Sequence, residues 1–355
     1  MTKYYSIVPN IDNRSPNKVA RELGMGFERY CNYDIRFVYV KKIISEWPEQ
    51  FSNYRRIKLY SLIEMMKSDV IVHSHGFFPD MLNFVLGLLG SKSVRITTLH
   101  SIISKDLSEK RFGVFFSKVW MLMLKNFDSI FVLSESARDE YLKILGVDFS
   151  DRIKVVANPL IIEEEIYNDN NKSIIETINN QKKLGNYILG SCSVLREMKG
   201  IQYAISMLKD TQNINLVILG DGPYSETLKS LVKEYNLDDK IFFTGFVNHP
   251  HSIMKEFDCF LLTSDYEGFP LSLMEAVNLK VPVICNDIEI FREFFNDKEV
   301  NFVDVKSDFY FKNKVEELIY ERKAKVEFAY KRLIENYTIE KVLEVYNSSI
   351  KKILL

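Results

Sequence analysis

Two glutamates stand in TSDYEGFPLSLMEAV (263–277), Glu267 before a Gly-Phe-Pro turn and Glu275 inside the apolar run that follows it. A carboxylate in such a run is costly to desolvate unless something pairs with it. The chain turns through Gly268 and Pro270 and then reads LSLMEAVNLK, with helical spacing. Proline suits a helix start, where its missing N–H would have no partner anyway. A helix beginning here presents its first N–H groups and the positive end of its dipole to whatever lies before it. Glu275 then sits about one turn inside, and Gly268 leaves room for a ligand near the backbone. The chemistry this suits is an anion carrying hydroxyls: phosphate on the free N–H groups of the helix start, ribose or sugar hydroxyls on the carboxylates. Arg196 and Lys199, in VLREMKG, add two positive charges. A diphosphate held by two cations and a helix terminus needs no metal. The sequence also contains no HExxH, no tight carboxylate group at a strand end and no P-loop, so no metal site and no cofactor are expected.

Taken singly, each feature is commonplace. Arg196 and Lys199 read as a solvated helix start, GDGP as a turn, and a lone histidine as structural. Their placement along the chain is what selects them. Short β-branched runs such as DIRFVYV (34–40), SDVIVHSH (68–75), SVRITTLH (93–100), YILGSCSV (187–194), INLVILG (214–220) and CFLLTS (259–264) alternate with helical periodicity. That rhythm predicts parallel sheets covered by helices on both faces. Ligands of open α/β sheets bind outside the carboxyl ends of the strands. Arg196 and Lys199, Gly220-Asp221-Gly222, and Asp265 to Phe269 all follow strands of a second block, as His73, His75 and His100 do in a first. The expected division is a first domain over 1–165, a linker over 166–184 rich in Asn, Glu and Lys, a second domain over 185–335, and a C-terminal helix over 336–355 packing across the linker. Polar groups at one edge of each domain imply two doubly wound domains facing a cleft.

The totals agree with a two-domain soluble protein. The 355 residues exceed what one core usually holds. Lys+Arg 47 against Asp+Glu 48 leaves a net charge of -1, so no global field attracts nucleic acid. Four scattered cysteines form no CxxC pair and fit a reducing cytosol. The N-terminal residues lack a signal-peptide pattern, and no apolar run is long enough to span a membrane. A cytoplasmic location is expected, with peripheral contact at the inner face of the cell membrane left open. The stretch KRFGVFFSKVWMLMLKNF (110–127) carries Phe, Trp and Met with Lys110, Arg111, Lys118 and Lys125. It reads either as a buried helix with basic ends or as a helix lying on a membrane surface.

At these residues the chain resembles glycosyltransferase family 4, a family of GT-B fold. LGDGPYSETLKSLVKEYNLDDKIFFTGFV (219–247) looks like its strand–GDGP–helix–strand segment, and FDCFLLTSDYEGFPLSLMEAVNLKVPVICND (257–287) like its E-x7-E signature. IVHSHGFFPDMLNFVLGLLG and VRITTLHS match in spacing within the first block. The resemblance implies that Glu275 binds the nucleotide ribose and that Glu267 stands near the donor sugar. It places Lys199 on the phosphates and Gly268, Phe269, Pro270 and Leu271 in the backbone beside sugar and diphosphate. It sets His100 beside the reacting sugar, with His75 the other occupant of that role. Three positions depart from the family pattern. Val194 stands where the family has an arginine, for which Arg196 is the substitute. SPNKVARELG replaces a glycine-rich loop, and Glu289 and Ile290 replace paired glycines.

What the resemblance implies is a retaining, metal-independent hexosyltransferase acting from a nucleotide-sugar donor, a UDP-sugar first. The acceptor would be a glycan or lipid-linked glycan of a surface polysaccharide. Two other readings use the same scaffold: a nucleotide-sugar epimerase, and a non-catalytic partner subunit of a glycosyltransferase complex. A Rossmann dehydrogenase is disfavoured, since no GxGxxG follows a strand.

Overall fold

The computed structural model describes residues 2–12, 15–44, 54–103, 112–161, 169–320 and 324–354. The chain forms two compact units, Met1–Ile161 together with Asn336–Leu355, and Ile162–Glu335.

The first unit is built on seven strands: β1 (Lys3–Val8), β2 (Asp34–Tyr39), β3 (Tyr54–Arg56), β4 (Val70–His75), β5 (Val94–Leu99), β6 (Ser129–Val132) and β7 (Ile153–Val155). They lie in the order β3-β2-β1-β4-β5-β6-β7, every pair parallel. Helices α1 (Ser15–Cys31), α2 (Leu59–Met65), α3 (Phe77–Leu88), α4 (Gly113–Leu124) and α5 (Glu135–Leu145) connect them. Strands β4 and β6 are buried along their whole length and β1 from Tyr4 onward, as a sheet covered on both faces requires. Strand order reverses between β1 and β4, which makes that edge the unit's topological switch point. Asp80, fully buried in the first turn of α3, ties this region together. It accepts from the hydroxyls of Ser74 (2.6 Å) and Thr97 (2.7 Å) and from the Trp120 indole (2.7 Å). Burial pushes its carboxyl up to about 6.

The second unit carries a six-stranded sheet: β8 (Tyr187–Cys192), β9 (Ile214–Leu219), β10 (Ile241–Gly245), β11 (Cys259–Leu262), β12 (Val283–Asn286) and β13 (Asn301–Val303). The order is β10-β9-β8-β11-β12-β13, again parallel, with the reversal between β8 and β11. Its helices are α6 (Asp169–Lys183), α7 (Ile201–Met207), α8 (Ser225–Glu234), α9 (His251–Met254), α10 (Leu271–Asn278), α11 (Glu289–Phe294), α12 (Asp308–Tyr320) and α13 (Ala324–Asn336). A cluster including Leu189, Leu216, Ile218, Leu228 and Leu261 fills its core.

Most of the stretch expected as a linker, 166–184, is the helix α6. Ile178 on it is buried, and the Asn171 side chain donates to the Asn248 and His249 carbonyls and to Ser252 Oγ. Polar residues there serve to dock the helix, which composition alone reads as exposure. The C-terminal helix α14 (Ile339–Leu354) packs on α1 of the first unit. Its Tyr346 is fully buried against Phe27 and Phe131.

Candidate active site

The two loops that leave the switch point of the second unit carry the charged residues that the sequence singles out. After β8 the chain makes a single 3-10 turn, Glu197–Lys199, and Gly200 follows in the left-handed region at φ 68°. A Cβ at Gly200 would lie 2.0 Å from the carbonyl oxygen of Thr263, so only glycine allows the two loops to meet here. The loops are then laced by backbone and hydroxyl bonds. Asp265 N donates to Met198 O and Thr263 Oγ1 to Lys199 O, both at 2.9 Å.

This lacing brings Lys199 onto Glu267. The Lys199 ammonium donates to both carboxylate oxygens at 2.7 Å, and Ser264 Oγ donates to Oε1 at 2.7 Å. Both side chains are largely buried, at 21% and 11% exposure. An ammonium has three donors, so Lys199 can serve a phosphate oxygen while it holds Glu267. Arg196 opens the same turn, half-buried, with its carbonyl accepting from Lys199 N at 3.0 Å. Val194, at the position of the family's arginine, is 57% exposed.

Beyond Glu267 the chain bends at Gly268 and Phe269. The Phe269 ring is buried edge-on against Phe294, centroids 4.8 Å apart, which anchors the turn before α10. Pro270 occupies the N-cap, its carbonyl accepting from Leu273 and Met274, and no side chain caps the end. Leu271 is the first helical residue. Glu275 lies one turn on, where Oε1 is 3.5 Å from Nε2 of the buried His251 on α9. Sequence reasoning named the carboxylate but no partner within the chain. His251 is far from it in sequence and is brought near only by folding.

The GDGP turn belongs to this site as scaffolding. A Cβ on Gly222 would fall 2.3 Å from the Leu195 carbonyl oxygen. Leu195 N donates to Asp221 O at 3.1 Å and Tyr224 N to Leu195 O at 3.0 Å, so the turn holds the loop that leads to Arg196 and Lys199. Sequence reasoning also missed Ser264, Thr263 and Gly200, together with Tyr203 and Lys306. The last two hold Asp265, by a hydroxyl bond of 3.1 Å and an ion pair of 2.9 Å. A strand-end Thr-Ser-Asp followed by glutamate was the available signal. Among the described residues no group of three or more His, Cys, Asp or Glu side chains is arranged to hold a metal ion.

In the first unit the histidines gather at the carboxyl ends of β4 and β5. His75 Nδ1 and His100 Nε2 share a hydrogen bond of 3.1 Å, and the His73 ring lies behind His75 with centroids 4.1 Å apart. His73 is sandwiched between the Tyr4 hydroxyl and Thr98 Oγ1, the latter at 2.7 Å, and Thr98 in turn meets the Tyr346 hydroxyl at 3.0 Å. Burial holds His73 down at about 3 and His100 at about 4. Burial, with His73 and His100 adding, holds His75 well below its ordinary range. All three are therefore neutral at physiological pH. His75 is 1% exposed, whereas His100 is only partly buried and is the member of the group that a ligand can touch.

Two doubly wound units, each built on a parallel sheet, are the architecture of GT-B glycosyltransferases. Residues 9–164 match the family model described as Glycosyltransferase Family 4, and residues 174–338 match Glycosyl transferases group 1. The chain belongs to glycosyltransferase family 4. The O-antigen biosynthesis glycosyltransferase WclY of Escherichia coli is 29% identical over 316 residues, 84% of either chain. The UDP-Gal:alpha-D-GlcNAc-diphosphoundecaprenol alpha-1,3-galactosyltransferase of Escherichia coli is 26% identical over 239 residues, 65% of this chain and 61% of that protein. Of solved structures, Anabaena HepE in complex with UDP and glucose superposes with a TM-score of 0.79 at 13% identity, covering 99% of this chain and 100% of that one.

Proposed function

We propose that this glycosyltransferase moves a hexose from a UDP-sugar to a lipid-linked glycan, with retention of anomeric configuration and without a metal, in the assembly of a surface polysaccharide. The observation that carries the donor site is the meeting of Lys199 and Glu267 at the β8/β11 switch point, with Glu275 one turn inside the helix that follows. Glu275 accepts from the ribose hydroxyls. Arg196, Lys199 and the backbone from Gly268 through Phe269 and Pro270 to Leu271 take the diphosphate, and Glu267 stands beside the donor sugar. The C1–O bond to the diphosphate breaks as the bond from C1 to the acceptor oxygen forms, and the acceptor hydroxyl passes its proton to an oxygen of the departing diphosphate. Negative charge grows on the leaving UDP, and fixed cations with an uncapped helix start are the groups that stabilise such charge. His100 contributes a neutral hydrogen-bonding imidazole to the substrate.

The choice of UDP is supported by the galactosyltransferase relative, whose name states UDP-Gal, and by the UDP complex of HepE. The lipid-linked acceptor and the polysaccharide setting are supported by the diphosphoundecaprenol of that relative and the O-antigen role of WclY. Thermal-shift titration with UDP, GDP and ADP, with and without EDTA, tests the donor site. At a hundredfold excess over the dissociation constant, UDP is expected to stabilise the protein by about 2.7 kcal/mol, unaffected by EDTA and lost in Glu275→Ala. Preference for GDP or ADP changes the donor. No response from the folded protein to any nucleotide favours a non-catalytic partner subunit. The anomeric configuration of the product, read by NMR, decides retention.

A further inference from the structure

Helices α3 and α4 of the first unit pack on each other through Phe77, which meets Phe116 and Trp120 edge-on at 5.6 and 5.4 Å. That contact uses one side of each helix. On the outward side, α3 presents Phe78, Met81, Val85 and Leu88, a single stripe at helical spacing, Leu88 being 64% exposed. On α4 the outward stripe runs Phe115, Lys118, Leu122, Lys125, with Phe115 64% and Leu122 65% exposed. Lys41 lies over the Phe78 ring at 3.6 Å. The basic pair Lys110 and Arg111 lies outside the described residues. Among the described residues of 76–127 Asp80 is the one acidic side chain before Asn126, and it is fully buried. The sequence left α4 open between a buried helix and a surface one. It is both, burying Trp120, Met121, Met123 and Leu124 while facing outward with Phe and Leu between lysines.

We propose that this face of the first unit docks on an anionic lipid bilayer. A neighbouring pair of helices that turns apolar side chains outward marks an interaction surface. Aromatic and aliphatic side chains at such spacing sink into the boundary between headgroups and acyl chains, and lysine stems snorkel to bring their ammonium groups level with lipid phosphates. Among the described residues of α3 and α4 the exposed charged side chain is Lys118, with Lys125 at the C-cap, and such a face is complementary to anionic headgroups. A second copy of the chain would instead set Lys118 and Lys125 against like charges. The lipid-linked acceptor proposed above gives such docking a purpose, and the inference rests on that reading for its purpose alone.

The test is co-sedimentation of the full chain, without nucleotide, with vesicles of phosphatidylcholine alone or mixed with phosphatidylglycerol. Binding is expected to require phosphatidylglycerol and to weaken as salt screens the lysines. Phe115→Ser with Leu122→Ser should lower the bound fraction at least about tenfold, and Lys118→Glu with Lys125→Glu should abolish the preference for the anionic lipid. Circular-dichroism melting verifies that the variants fold. If the serine pair does not, the glutamate pair decides. Equal or absent sedimentation with the two vesicle types overturns the proposal, as does wild-type binding by the folded variants. Self-association by light scattering that the serine pair abolishes, with no vesicle binding, would assign the face to a second copy. None of these readouts involves UDP, so a failure here is separate from a failure of the donor site.

Discussion

In the proposed donor site Lys199 is already engaged. Both oxygens of Glu267 face its ammonium at 2.7 Å, so a bound diphosphate would share the lysine with a carboxylate that repels it. The pair keeps a largely buried cation from standing alone, which would be costly, and aims it at the strand end. Neutralising Glu267 without changing its shape separates the two roles. In Glu267→Gln the bond from Ser264 can persist, and the lysine faces the diphosphate unopposed. We expect UDP to bind more tightly, by about three- to tenfold on the scale of an exposed-to-partly-buried ion pair, while sugar transfer falls at least about a hundredfold. Isothermal titration and a turnover assay read the two effects independently. Weaker UDP binding in this variant would mean that Glu267 holds Lys199 in place more than it competes for it.

At the scale of elements, the site depends on loops lying backbone against backbone. The turn from Asp221 to Tyr224 bonds to Leu195 twice, and Gly222 is the residue that allows the approach. In Gly222→Ala the new Cβ meets a carbonyl oxygen at 2.3 Å, and a backbone atom cannot swing aside as a side chain does. A loss of roughly 1–3 kcal/mol in stability is expected, with weaker UDP binding because the loop bearing Arg196 and Lys199 is displaced. Denaturant unfolding and UDP titration check both. An alanine variant with wild-type stability would show that the loops move apart freely. Gly200 plays the corresponding part against Thr263.

At the scale of the molecule, the first unit is closed by the far end of its own chain. Tyr346 from α14 reaches Thr98, and through it the buried histidine group. That group sets how the unit responds to acid. The folded His73, His75 and His100 titrate below the unfolded value near 6.5, so they favour folding fully above that value and less as pH falls towards their folded values of about 3 and 4 for His73 and His100. Asp80, raised to about 6, acts in the opposite sense, gaining a proton in the folded state first. Between pH 6 and 5 the three histidines outnumber Asp80, so unfolding takes up protons on balance and the first unit loses stability as pH falls. Hydrogen exchange followed by mass spectrometry should show β4 and β5 losing protection on acidification before β8 and β11 do. His73→Gln, which keeps hydrogen-bonding capacity and cannot titrate, should shallow the dependence by about one proton. A first unit as resistant to pH 5 as the second would refute this account.

Local chemistry was legible in the sequence wherever it depended on period and punctuation. The β-branched runs, the turn at Gly268 and Pro270, and the residues that follow each strand were readable because strand and helix periods and strand-end loops are local properties. Strands β3 and β13, three residues each, are too short to show a period. The helix α6 escaped notice because its asparagines look like exposed polar residues until Asn171 finds its carbonyl partners in another segment. Composition and spacing determined that Lys199, Glu267 and His100 follow strands and that Glu275 stands about one turn inside a helix. Only tertiary structure decided that Lys199 and Glu267 pair, that His251 faces Glu275, that His75 lies behind His100, and that Phe115 and Leu122 face outward. The physical reason is the same in each case. A side chain's partner or exposure depends on which distant segment packs beside it, and a parallel sheet joins segments through long crossovers that leave no local trace of the pairing.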